Sequence, residues 1–98
     1  MTITTTAPHG LLLESLSRLT VLVREHRDEL PELVVFLSSD RSQVDVQVVE
    51  YGAAEAVRRD AVDHLAQLLK LEPPKERDYG HYRTANDLWD IYTPIATD

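Results

Sequence analysis

The chain has 98 residues and a formal net charge of −7 at pH 7, from 17 acidic and 10 basic side chains. This length predicts one domain, and a composition that is 43% hydrophobic and 28% charged excludes disordered and fibrous proteins. The absence of cysteine excludes disulfides, thiolate metal sites and a cysteine nucleophile. The acidic balance disfavours direct binding of nucleic acid, which depends on clustered Lys and Arg.

The first nine residues are rich in threonine and show no apolar periodicity, so we expect residues 1–9 to form a disordered leader. They also lack the basic start and apolar block of a secretion signal, and no apolar run in the sequence approaches the length of a bilayer span. These features predict a cytoplasmic protein with no membrane partner. We expect a single α+β domain over residues 10–95, followed by a tail at 96–98.

The first predicted helix runs from Gly10 to Arg27, because its leucine and valine residues recur at steps of three and four. Leu30-Pro31 blocks its continuation, and a strand is predicted over Leu33–Ser38. Alternate residues of a strand face opposite sides of a sheet, and this strand is apolar at every position from Leu33 to Leu37. Both of its faces therefore need cover.

A second strand is predicted over Val44–Val49, where valine alternates with polar residues. The second helix is predicted from Ala53 to Leu71, and two strands over Asp78–Thr84 and Leu88–Thr93 then form a second hairpin. In the last strand, Trp89 is expected to belong to the core. The predicted apolar stripe of the second helix is Ala54, Val57, Ala61, Leu65 and Leu68.

The order helix, hairpin, helix, hairpin predicts an α+β fold. Because sequential strands usually pair, the simplest architecture is a four-stranded antiparallel sheet with two helices on one face. A circular permutant of the ferredoxin-like fold uses the same elements, but its helices cross between strands that are not neighbours. The sequence does not distinguish these two arrangements.

An apolar patch is expected on the helix-free face of this sheet. The first strand would supply Val34 and Phe36, and we expect Val49, Leu88 and Tyr92 to join them. Two helices leave little of a 98-residue chain to cover a second face, so a second copy or another protein is the simplest cover. The sequence therefore predicts a homodimer or a protein-interaction subunit.

A polar and aromatic surface is also expected on the second hairpin. Tyr79, His81 and Arg83 share one parity of its first strand, and Asp90 and Tyr92 lie on the next. Such a group could bind a ligand or act in acid–base chemistry. Hairpin faces that are open to solvent commonly carry the same residue types, so the sequence favours a simple solvated surface here.

Motifs for catalysis, cofactors and metals are missing from the sequence. No Gly-x-Ser-x-Gly elbow is present, and three glycines are too few for a phosphate-binding loop. His9, His26, His64 and His81 lack the spacing of known metal motifs and lie in different predicted elements. We therefore interpret the protein as non-enzymatic, with no cofactor and no metal.

The acidic surplus supports an alternative, an inhibitor that mimics nucleic acid and blocks a DNA-binding partner. A row of carboxylates at roughly phosphate spacing would be needed, and the candidates are Asp40, Asp45, Glu50, Asp87 and Asp90. The simpler interpretation is that the net charge keeps a small protein soluble.

The layout of the chain resembles a group of small proteins. The closing segment 87–95 (DLWDIYTPI), the valine-alternating strand and a leucine-rich first helix that ends in 24–27 (REHR) are similar to small uncharacterised α-ββ-α-ββ proteins of actinobacteria and their phages or integrating elements. The resemblance covers most of Leu11 to Ile95. It implies the α-ββ-α-ββ layout and carries no known activity with it.

Overall fold

The computed structural model of the chain describes residues 2–5, 10–37, 43–49, 52–77 and 79–96. Along these ranges the elements are β1 (Thr2–Thr5), α1 (Gly10–Glu25), β2 (Leu33–Leu37), β3 (Val44–Val48), α2 (Glu55–Leu68), β4 (Lys75–Arg77), β5 (His81–Ala85) and β6 (Trp89–Pro94). Neither helix in these ranges is long and apolar enough to cross a membrane.

The six strands form one mixed sheet in the order β1-β2-β3-β6-β5-β4. The pairs β2–β3, β4–β5 and β5–β6 are antiparallel, whereas β3 and β6 run parallel with Val46 opposite Ile91. The predicted α+β class is confirmed, but the predicted four-stranded antiparallel sheet is wrong in strand number and direction. The inner order β2-β3-β6-β5 is that of the permuted ferredoxin-like arrangement, in which α2 crosses from β3 past β6 to the second hairpin.

Burial explains why β6 rather than β5 lies beside β3. In β6, Trp89, Ile91 and Thr93 face the helices and are each at most 3% exposed. In β5, Thr84 is the one buried residue. The more apolar strand gains more from the place beside β3, because the helices cover the sheet there.

Both helices pack on the same face of the sheet. This face carries alternate residues of three central strands, and α1 and α2 cover it with Leu19 and Leu65 among others. The alternation predicted for β3 is confirmed, and Trp89 belongs to the core as expected. The strand residues of the core are Leu33, Val35, Leu37, Val44, Val46, Val48, Trp89 and Ile91.

The buried stripe of α2 differs from the predicted one. Val57 is 51% exposed and Ala54 is exposed, whereas Arg58 and Val62 are buried. Arg58 Nη1 donates to Thr93 Oγ1 at 2.9 Å and also to the Pro94 carbonyl oxygen. The stripe is rotated by about one position because this cation, which an apolar pattern does not register, holds α2 against the end of β6.

The edge strands β1 and β4 were both missed by the sequence pattern. Thr2–Thr5, expected to be disordered, pairs in parallel with β2 from Val34 to Leu37, which supplies its backbone with hydrogen-bond partners. β4, which lies between the predicted second helix and the predicted second hairpin, is an exposed strand of Lys, Glu and Arg beside β5. Charged residues are common on edge strands because they discourage further pairing, and they leave no apolar alternation to detect.

The end of the described chain is attached to α2 rather than free. Ala96, expected to begin a tail, donates its N–H to Glu55 Oε1 at 2.9 Å. This hydrogen bond is the main cause of a lowered pKa at Glu55, with a smaller contribution from the charge of Arg59.

Candidate functional site

The helix-free face of the sheet gathers the residues predicted from the second hairpin. Alternation and register place Arg83 of β5 opposite Tyr92 of β6, and Asp90 of β6 opposite Asp45 of β3. His81 shares the parity of Arg83, and Tyr79 stands in the turn just before it. We call the group Tyr79, His81, Arg83, Asp90 and Tyr92 the Tyr–Arg cluster.

Three rings of this cluster are in contact. The His81 ring stacks on Tyr92, with centroids 5.0 Å apart and planes at 28°. Tyr79 also meets His81 edge to face, with centroids again 5.0 Å apart and planes at 89°. Both geometries are favourable for aromatic pairs, so each ring restricts its neighbour.

Arg83 contacts both the tyrosine rings and the carboxylate of Asp90. Its Nη1 donates to Tyr79 Oη at 2.7 Å, and its guanidinium carbon lies 4.7 Å from the centroid of Tyr92. Its Nε is 2.7 Å from Asp90 Oδ1, in a charge contact whose N–H is not aimed at the oxygen. One cation thus contacts a carboxylate, a phenol and an aromatic face together.

Burial and charge set the protonation of the cluster. Partial burial is the main cause that lowers the pKa of His81, and the positive charge of Arg83 adds to it, so the ring is neutral at pH 7. Burial also raises the pKa of Tyr92. Burial acts to lower the pKa of Arg83, but the Tyr79 hydrogen bond and the Asp90 carboxylate outweigh that effect and raise it.

The predicted apolar patch is only partly assembled. Val34 and Phe36 lie on the helix-free side of β2, where Phe36 is 39% exposed, and Tyr92 lies two strands away on the same face. Val49 follows the last residue of β3 and is half-buried. The structure therefore separates an apolar end at Val34 and Phe36 from the aromatic rings of the Tyr–Arg cluster.

Leu88 does not belong to this patch. The Oδ1 of Asn86 accepts the backbone N–H groups of Leu88 and Trp89 at 2.9 and 2.8 Å, so Leu88 stays in the turn and β6 begins one residue later. Its side chain packs against the core on the helix side. The prediction placed it on the helix-free face because it began the strand one residue too early.

The predicted acidic row is incomplete on this face. Asp90 is 7% exposed and its charge is paired with Arg83, while Asp87 is exposed in the turn before β6. Asp45 is half-buried beside Tyr92. Asp40 and Glu50 lie outside the described residues, as does His9.

A second cluster, absent from the sequence predictions, joins the turn after α1 to α2. His26 Nδ1 lies 2.9 Å from Glu29 Oε2, and His64 Nε2 lies 3.5 Å from the same oxygen. The two imidazole rings meet edge to face with centroids 5.1 Å apart. The spacing His-x-x-Glu was the only local signal, because His64 comes from a distant part of the sequence.

Two small cavities lie away from the Tyr–Arg cluster. One, of about 160 Å³, lies between α2 and the segment 71–74. The other, of about 210 Å³, lies between α1 and the start of β6. Both are smaller than the ~300 Å³ at which sites for drug-sized ligands begin, and neither is lined by a residue of the cluster.

Comparisons with protein families, with curated proteins and with solved structures found no match to this chain.

Proposed function

We propose that this protein is a non-enzymatic interaction protein that forms a homodimer through the helix-free face of its sheet. The observation that carries the proposal is the Tyr–Arg cluster, an ordered set of aromatic rings around one arginine on a face that no described helix covers. Phe36 and Val34 extend the same face with apolar surface.

The residue types on this face are those that dominate protein interfaces. Tyrosine and arginine are enriched among residues whose truncation weakens binding most, and phenylalanine is enriched in interface cores. Tyr79 and Phe36 are 58% and 39% exposed, so both offer aromatic surface to a partner. Covering them would remove apolar area from water at about 25 cal/mol per Å².

The cluster is also organised before any partner binds. Arg83 is held by a hydrogen bond to Tyr79 and a charge contact to Asp90, and the ring of His81 is packed between two tyrosines. Side chains that are already ordered lose less conformational entropy on association. Because Arg83 and Asp90 compensate each other, burial in an interface leaves neither charge unpaired.

The charge of the face favours contact with a second copy. In the described strands, the residues of the helix-free side include two acids, Asp45 and Asp90, and three bases, Lys75, Arg77 and Arg83. The described strands therefore give this side no surplus of negative charge, and two such faces can meet without strong repulsion. A two-fold contact would use the same patch on both copies.

The two alternative functions receive less support from the geometry. Nucleic-acid mimicry needs an exposed acidic row, whereas this face is close to neutral and Asp90 is buried against Arg83. A small-ligand or acid–base site needs a cleft around a titrating group. The neutral ring of His81 is instead packed between Tyr79 and Tyr92.

Light scattering over a dilution series tests the proposal. We expect a dimer mass that falls towards the monomer mass on dilution. Tyr79→Ala should weaken the dimer by about tenfold or more, because it removes an exposed aromatic contact and frees Arg83. A wild-type protein that stays monomeric at every concentration would contradict the proposal.

A further inference from the structure

The cluster of His26, Glu29 and His64 has the chemistry of a metal site. It combines two imidazoles with one carboxylate, and one ligand atom from each residue lies within 4.8 Å of the other two. All three side chains are partly exposed, at 27%, 57% and 34% respectively, so solvent and ions can reach them.

The spacing of these atoms is close to that of a tetrahedral centre. A Zn²⁺ ion binds imidazole nitrogen and carboxylate oxygen at about 2.0–2.2 Å, which places neighbouring ligand atoms roughly 3.4 Å apart. Glu29 Oε2 is 2.9 Å from His26 Nδ1 and 3.5 Å from His64 Nε2. The three ligand atoms lie within 4.8 Å of one another, so the remaining adjustment falls to rotation of the partly exposed side chains.

We propose that His26, Glu29 and His64 bind one Zn²⁺ ion, with the fourth position open to water. Two imidazoles favour zinc and neighbouring transition metals over magnesium and calcium, which prefer sites made only of oxygen. Glu29 supplies the carboxylate oxygen of the set, since its Oε2 is the atom that approaches both imidazoles. This inference is independent of the proposed dimer, because these residues lie on α2 and the turn after α1.

The ion would connect two elements that are distant in sequence. His26 and Glu29 belong to the turn that ends α1, whereas His64 lies in the third turn of α2. A ligand that binds only the folded arrangement stabilises it. Zinc should therefore raise the melting temperature of the protein as well as bind it.

Calorimetric titration of the full chain, without a histidine tag, with ZnCl₂ tests the site. We expect one Zn²⁺ per chain, and Glu29→Gln and His64→Gln should each weaken binding by about tenfold or more. Asp28→Asn is the matched control, because it removes the same charge from an exposed neighbour and should leave zinc affinity unchanged. MgCl₂ should not bind.

Thermal unfolding of the same variants distinguishes a loss of zinc binding from a loss of folding. Without zinc, Glu29→Gln and His64→Gln should melt close to the wild type, and zinc should raise the melting temperature of the wild type and of Asp28→Asn more than theirs. No saturable zinc binding by the wild type, or binding that survives both ligand substitutions undiminished, would overturn the proposal.

Discussion

Arg83 and Asp90 form an ion pair at the centre of the helix-free face, with Nε and Oδ1 2.7 Å apart. Asp90 stands opposite Asp45 across β3 and β6, so two carboxylates lie on adjacent strands. Arg83 reaches Asp90 diagonally from β5 and offsets that repulsion. The same guanidinium contacts Tyr79 and Tyr92, which makes it the residue that organises the Tyr–Arg cluster.

Asp90→Asn should lower the free energy of unfolding by about 1–2 kcal/mol. The pair is only partly shielded, so the loss should fall between that of exposed pairs and that of buried ones. Urea unfolding measures the change, and Asp87→Asn, at an exposed turn position, should shift it by less than about 0.5 kcal/mol. Equal losses of stability in the two variants would show that the Arg83–Asp90 contact does not stabilise the fold.

His81 should make the protein less stable in mild acid. Burial lowers the pKa of the folded His81 below its ordinary 6.5, so below about pH 6.5 the unfolded chain gains a proton that the folded chain does not. Stability therefore falls as the pH drops from 6.5 towards the folded pKa. His81→Phe keeps a ring between Tyr79 and Tyr92 without this titration.

The stability difference between wild type and His81→Phe isolates that effect, because the other histidines are common to both. In chemical unfolding between about pH 8 and pH 5, the free energy of unfolding of the wild type should fall relative to that of His81→Phe as the pH drops below 6.5. A difference that does not vary with pH would mean that His81 titrates alike in the folded and unfolded chains.

Arg58→Met should cost about 2–3 kcal/mol of stability. The substitution keeps much of the buried stem but leaves the Pro94 carbonyl and Thr93 hydroxyl without their donor. Arg59→Met is the neighbouring control, and it should lose less stability than Arg58→Met, since Arg59 pairs with the exposed Glu76. Urea midpoints that rank the two variants in the opposite order would contradict the buried role of Arg58.

Local patterns in the sequence predicted the inner elements but not the order of the strands. Alternation located β3, and the steps of three and four located α1 and α2, because each pattern depends on neighbours along the chain. Whether β5 or β6 lies beside β3 depends on which strand buries more area against the helices. That comparison requires the assembled sheet.

In the candidate sites too, local patterns predicted some residues, whereas other contacts depend on the assembled fold. Parity within one hairpin brought Tyr79, His81 and Arg83 together in the prediction, and the structure places them in contact. Leu88 was misplaced because an Asn86 turn delayed the strand by one residue. The approach of His26 to His64 has no sequence signal, because it depends on how α1 and α2 lie on the sheet.

The rotated stripe of α2 gives a direct test of its packing. Val62 is fully buried, so Val62→Ala should cost about 2 kcal/mol through lost burial and a residual cavity. Val57 is 51% exposed, so Val57→Ala should be neutral or stabilise slightly, because alanine is the better helix former. Comparable losses of stability from both substitutions would contradict the observed packing of α2 and support the stripe predicted from the sequence.

Sedimentation equilibrium of Phe36→Asp tests the proposed dimer most directly. A carboxylate at this exposed position of the helix-free face should weaken self-association about thirtyfold or more, the cost of roughly 2 kcal/mol at an interface hot spot. Val21→Asp is the control, since Val21 is 52% exposed on α1. We predict a folded monomer for Phe36→Asp and a dimer for the wild type and Val21→Asp, whereas a monomeric wild type or a Phe36→Asp dimer of unchanged affinity would contradict the account.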